Sequence, residues 1–185
     1  MNKYEADVGV QNFEPFNRRS IRLKGYDYSQ NGGYFITICT ANRLCLFGEI
    51  IDGEMLLNEF GNIVDKCWLE IPKHHPSVRL EEYTIMPNHI HGILVIHDDI
   101  GVQNFEPLRI ENKFQKIIPH SIGSIIRGFK IGVTKYFRQN TDIYNVWQRN
   151  YYEQIIKDDI SFDTICKYII NNPINWEVDE NYHSM

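Results

Sequence analysis

Tyr83-Thr84-Ile85-Met86-Pro87-Asn88-His89-Ile90-His91-Gly92-Ile93-Leu94-Val95-Ile96 reads as the end of one strand and the whole of the next. The two strands, Val78 to Met86 and His89 to Ile96, are joined tightly around Pro87-Asn88. Alternate residues of a strand point to the same side, so His89 and His91 share a face and Ile90 takes the other. Two neutral imidazoles presented together suit one divalent cation. The same spacing also occurs in histidines that only pack or face water, so by itself it leaves both readings open. Ile93 to Ile96 carry the strand into a core, which places the pair on a rigid central element.

Working outward, Tyr34 to Thr40 is β-branched and aromatic, a first strand. Asp52-Gly53 is the turn of a hairpin between Leu46–Ile51 and Glu54–Leu57. Asn58 caps a helix with Phe60, Ile63, Val64, Cys67, Trp68 and Ile71 on one face, and Pro72 is expected to end it. After a polar segment over 98–120, Ser121 opens a helix buried through Ile122, Ile125, Ile126, Phe129, Val133 and Phe137. Val146 to Ile156 suits a strand. Ser161 is expected to open a last helix that Pro173 closes. The order β, hairpin, α, β, β, α, β, α is that of an α+β ferredoxin-like sandwich: a central antiparallel sheet with packed helices and an extra C-terminal helix.

A chain of 185 residues with 43% hydrophobic content fits one compact domain, here 28–176. Residues 1–27 read as an N-terminal extension, 98–120 as an inserted loop and 177–185 as a tail. The polar start lacks an apolar signal region, and no apolar run is long enough for a membrane helix. Cys39, Cys45, Cys67 and Cys166 have no C-x-x-C spacing and read as reduced thiols. Together these features point to a cytoplasmic protein with no membrane partner.

The net charge of −5 argues against nucleic-acid binding by the body as a whole, but the cations are not evenly spread. Arg18, Arg19, Arg22 and Lys24 stand free of acids, and 109–138 holds seven cations against Glu111 alone. Such patches are compatible with a localised DNA groove, or with ordinary solvated faces. Gly9-Val-Gln-Asn-Phe-Glu-Pro15 recurs letter for letter as Gly101-Val-Gln-Asn-Phe-Glu-Pro107. Two copies without a structural period are no solenoid, and they read as a short DNA repeat copied into the gene where insertion is tolerated.

Two helices add further candidates. On the last, Tyr168 lies on the flank of the stripe Phe162, Ile165, Cys166 and Ile169, and Asn172 follows one turn later on the same flank. A phenol nucleophile and an amide ligand could there meet the histidines across a cleft; a half-buried packing tyrosine would look alike. On the helix before it, Arg127, Thr134 and Arg138 fall almost in line with Lys130 beside them, as a row of phosphate contacts would.

Taken together, four ordered segments over about residues 34 to 176 resemble a known family. They are Tyr83–His91 with its apolar strand, Ile126-Arg-Gly-Phe-Lys130 with Thr134-Lys135, Val146-Trp-Gln-Arg-Asn-Tyr-Tyr152 with Ile155-Ile156, and Tyr168-Ile-Ile-Asn-Asn-Pro173. The resemblance is to the REP-associated tyrosine transposases, single-tyrosine HUH enzymes of the insertion-sequence-200-like family. It implies that His89, His91 and Asn172 hold Mg²⁺ or Mn²⁺ and that Tyr168 attacks single-stranded DNA at hairpin-forming repeats. A 5′-phosphotyrosine then conserves the bond energy for rejoining by a 3′-hydroxyl. The implied partner is hairpin DNA and the implied state a monomer or weak homodimer. Arg127, Lys130, Arg138, Arg18, Arg19 and Arg22 are the expected DNA contacts. Gln154 stands where relatives often have histidine. The competing readings are a domesticated repeat-hairpin binder without turnover, and an unrelated metallohydrolase using only the histidine pair.

Overall fold

The computed structural model describes residues 27–97 and 118–182. Arg18, Arg19, Arg22 and both copies of the heptapeptide lie outside them. Four antiparallel strands form the central sheet in the order β4-β5-β1-β6: β4 is Val78–Met86, β5 His89–Ile96, β1 Gly32–Cys39 and β6 Tyr152–Ile156. A separate hairpin pairs β2 (Gly48–Ile51) with β3 (Glu54–Leu57). Its turn residues Asp52 and Gly53 both take positive φ, 52° and 79°, as a two-residue turn between twisted strands requires. The expected ferredoxin-like α+β architecture is observed.

The pleat of the two central strands separates two chemistries. Tyr34, Ile36 and Ile38 of β1, with Ile90 and Leu94 of β5, face α1 (Glu59–Leu69) and α3 (Ile122–Asn140) in the main core. Trp68 of α1 is fully buried there, flat enough against the sheet that a Cβ on Gly92 would stand 2.5 Å from its ring. Phe35 and Ile93 project to the opposite face, where α4 (Asp159–Asn171) covers them through Ile169, Phe162 and Ile165. His89 and His91 belong to this second face, under the tyrosine helix.

Capping sets the helix boundaries. Asn58 Oδ1 accepts from Gly61 N at 2.9 Å and Ser121 caps α3, both as expected. Pro72 does not end the first helix. α1 stops at Leu69, and Pro72 sits in the first turn of a short α2 (Ile71–His74), where its missing N–H costs no helical bond. The last helix starts earlier than Ser161, because Asp158 Oδ1 accepts from Ser161 N at 2.7 Å and so takes the cap position. β6 is shorter than the Val146–Ile156 expectation. Trp147 makes an isolated bridge to Thr40, Gln148 N donates to Cys39 O at 2.9 Å, and regular pairing with β1 resumes only at Tyr152. Lys130 Nζ donates to the carbonyls of Gln148 and Asn150, both at 2.9 Å, and fixes the segment that leads into β6.

Candidate active site

The β4–β5 turn and the adjoining strand β1 set the two imidazoles. Asn88 is fully buried, and its amide nitrogen donates to the carbonyls of Arg43 at 3.1 Å and Asn181 at 2.9 Å. Both amide hydrogens are thereby used, so its Oδ1 must accept from His89 Nδ1 at 2.8 Å. The proton of neutral His89 is therefore on Nδ1, and Nε2 carries a lone pair. That Nε2 is buried with no hydrogen-bond partner. His91 Nδ1 lies 2.9 Å from Thr37 Oγ1, which likewise turns Nε2 inward. His89, with one ring nitrogen fixed by an outer partner and the other left bare, has the arrangement of a metal-ligating histidine.

The rings stand 4.4 Å apart, centroid to centroid, and are almost wholly buried. Burial pushes His91 down to about 4, and burial with the neighbouring His91 pushes His89 well below its ordinary range. Both are neutral at physiological pH. Phe35 stacks on His91 at 5.4 Å and Trp176 packs beside His89 at 5.9 Å, closing the site on its apolar sides.

From α4, Tyr168 brings its hydroxyl to 3.2 Å from His91 Nε2 and 3.3 Å from Asp179 Oδ2. Its ring meets Phe35 edge-on, and 42% of the residue stays exposed toward a cleft. Burial, then the Asp179 charge, raises the phenol to about 12. Asn172 at the helix end donates to Asp179 Oδ2 at 3.0 Å, while its own Oδ1 is buried and unpartnered. Two orphaned acceptors, His89 Nε2 and Asn172 Oδ1, in one pocket fit a cation, which takes lone pairs from both. Ligand atoms of His89, His91 and Asp179 lie within 4.8 Å of one another, a donor set of imidazoles and oxygens suited to a divalent metal.

Sequence reading brought His89, His91, Tyr168 and Asn172 together and missed Asp179. Its position depends on the turn Trp176–Val178 after α4, and it sits among Glu177 and Glu180, where one acid is not distinguishable from the next. Arg127, Arg138 and Lys130 lie apart from this site and line a groove of about 680 Å³ with Lys135 and Arg149. Arg127 and Arg138 are exposed, whereas Lys130 is drawn inward onto its two carbonyls.

No protein-family model matches the sequence. A solved structure, of the REP-associated tyrosine transposase bound to a REP hairpin, superposes with a TM-score of 0.58 over 86% of this chain and 74% of that one, at 18% identity. A Haemophilus influenzae protein provisionally named a REP-associated tyrosine transposase is 22% identical over 148 residues, 80% of this chain and 73% of its own. The fold is thus that of the REP-associated tyrosine transposases. More narrowly, the chain belongs to one family with a Haemophilus influenzae protein of uncharacterised activity, 51% identical over 182 residues and 97% of both chains.

Proposed function

We propose that this transposase-fold protein nicks and rejoins single-stranded DNA at hairpin-forming repeats through a covalent bond to Tyr168. The observation that carries the reading is the placement of the Tyr168 hydroxyl 3.2 Å from His91 Nε2, beside the unpartnered His89 Nε2 and Asn172 Oδ1. A hairpin-binding protein without turnover has no need of a nucleophile aligned on a cation site.

His89 and His91 would hold Mg²⁺ or Mn²⁺ through Nε2, with Asn172 Oδ1 and the Asp179 carboxylate completing the donor set. When bound, the cation supplies Lewis-acid polarisation of the scissile phosphate and stabilises its developing charge. The residues do the rest. The Tyr168 oxygen attacks phosphorus, the P–O3′ bond breaks, and the freed 3′ oxygen leaves as a hydroxyl. With His91 Nε2 given to the cation, Asp179 Oδ2, which accepts from the phenol at 3.3 Å, is placed to take its proton and to return one to the leaving 3′ oxygen. A 3′-hydroxyl attacking the phosphotyrosine reverses each bond change and rejoins strands without ATP. The hairpin partner is suggested by the related transposase seen with a REP hairpin.

Incubation of the full chain with end-labelled hairpin DNA and Mn²⁺ should yield an SDS-stable adduct. Tyr168→Phe should abolish it and leave hairpin affinity nearly intact; excess EDTA should abolish it for the unaltered protein. Adduct persisting in Tyr168→Phe, or unchanged cleavage in EDTA, would overturn the mechanism.

A further inference from the structure

Just after β1 the backbone turns left-handed at two successive residues. Asn42 and Arg43 both take positive φ, 55° and 57°. That conformation is unfavourable for any side chain with a Cβ, least so for asparagine, and an arginine in it is rare. Such strain persists only where the surroundings over-determine it, and it clusters at functional sites. Here the surroundings are two buried asparagines, Asn88 and Asn181. The Arg43 carbonyl accepts from Asn88 Nδ2 at 3.1 Å, and its guanidinium Nη1 donates to Asn181 Oδ1. Asn88 Nδ2 also donates to the Asn181 carbonyl at 2.9 Å, which closes the three residues into a ring.

Two bonds lead out of the ring, both to the cation site. Asn88 Oδ1 accepts from His89 Nδ1 at 2.8 Å, which leaves Nε2 of that imidazole bare. Asn181 N donates to Asp179 Oδ1 at 2.6 Å, leaving Oδ2 to Asn172 and Tyr168. His89 belongs to the sheet and Asp179 to the segment after α4, so their alignment needs a link between those two elements. Arg43 supplies it. An arginine has no acceptor, so the atom it meets must be the amide oxygen of Asn181. The amide nitrogen is then left buried with no partner among the described residues. A strained turn and an orphaned donor both cost stability, so the stability of the fold does not account for the arrangement.

We propose that Arg43 is a positioning residue for the cation site, clasping Asn181 so that His89 Nε2 and the Asp179 carboxylate are aligned before a cation arrives. It rests on the strand-transfer reading for the presence of the cation. The sign of the effect separates a clasp from a bare charge. The guanidinium is itself a cation whose charge reaches His89, and as a charge alone it repels a metal ion. Its removal would then tighten metal binding. As a clasp it acts the other way, because ligands that lose their outer partners lose roughly 10–100-fold in metal affinity.

Mn²⁺ alone is the probe, titrated into the full-length protein without DNA and read by electron paramagnetic resonance of the free ion. Arg43→Met, which keeps the stem and drops the charge, should weaken Mn²⁺ binding about tenfold. Arg43→Lys should recover part of that loss. Asn181→Ala should weaken Mn²⁺ by a similar factor. The double variant should fall about tenfold and not about a hundredfold, since both changes open the same ring. In adduct assays on hairpin DNA, about tenfold more Mn²⁺ should repair the Arg43→Met defect. Tighter or unchanged Mn²⁺ binding in Arg43→Met, losses that multiply in the double variant, or an adduct defect that added Mn²⁺ does not repair would overturn the clasp. If Arg43→Met does not fold, Asn181→Ala decides alone, and parental Mn²⁺ affinity in it overturns the clasp. A parent that binds no Mn²⁺ removes the clasp and the cation site together. Clasp-dependent Mn²⁺ affinity in a protein that forms no adduct would instead remove the strand-transfer reading and leave the clasp standing.

Discussion

An unfolded imidazole takes up a proton near 6.5, whereas folded His91 does so only at about 4 and His89 is pushed down as well. Between those values the unfolded state binds more protons, so acid favours it and stability falls as pH is lowered from about 6.5 toward 4. Denaturant melts of metal-free protein should show that slope, and His91→Gln should flatten it; an unchanged slope would mean that the pair is not held neutral. The alternation of His89 and His91 made this pair legible without a structure, because strand geometry alone fixes a shared face. Asp179 was not legible. Nothing local distinguishes it from its acidic neighbours, and only the turn after α4 carries its carboxylate to 3.3 Å from the Tyr168 hydroxyl.

At the level of elements, long periodic segments were readable and boundaries were not. α1, α3 and the β4–β5 pair follow from their patterns, while Pro72 and Asp158 acted as helix-starting residues that the pattern alone did not single out. β6 begins at Tyr152, and Lys130 holds the carbonyls of Gln148 and Asn150 just before it, an interaction across 18 and 20 residues with no sequence signature. The close approach of α1 to the sheet gives a stability prediction. Gly92→Ala would place a methyl 2.5 Å from the Trp68 ring and 3.0 Å from Tyr83 Cβ, both in packed surroundings. Overpacking of this kind costs about 1–3 kcal/mol, and the melting temperature should fall by several degrees. No change in melting would mean that α1 yields freely. On α3, Arg127 and Arg138 remain exposed along the basic groove. Neutralising either should weaken matched and mismatched hairpins alike and lower the salt slope by roughly one contact, read from binding at several ionic strengths. An unchanged slope would move the DNA backbone elsewhere, toward Arg18, Arg19 and Arg22.

For the molecule as a whole, a net charge of −5 coexists with the groove lined by Arg127, Lys135, Arg138 and Arg149, so the proposed DNA affinity would depend on where cations sit rather than on their sum. The repeated heptapeptide Gly101–Pro107 lies outside the described residues. The chain enters that region from the end of β5 and returns at α3. β5 runs from His89 to Ile96, and at roughly 3.3 Å per residue its exit stands about 20 Å from the histidine that begins it. Both borders are anchored on their own. His97 N donates to Ser77 O at 2.9 Å, Ile122 N to Tyr28 O at 3.1 Å, and Ser121 caps α3. The segment that holds the heptapeptide therefore joins two complete elements, and the heptapeptide duplicates a sequence already present at Gly9–Pro15. Replacing Gly101 to Pro107 with a short Gly/Ser linker should preserve both the melting temperature and adduct formation on hairpin DNA. The competing possibility is that Phe105 or Arg109 grips the hairpin, as aromatic and basic residues can. A linker variant that melts like the parent yet loses hairpin binding would establish that grip, and retained adduct at parental yield would confine recognition to the sheet and its helices.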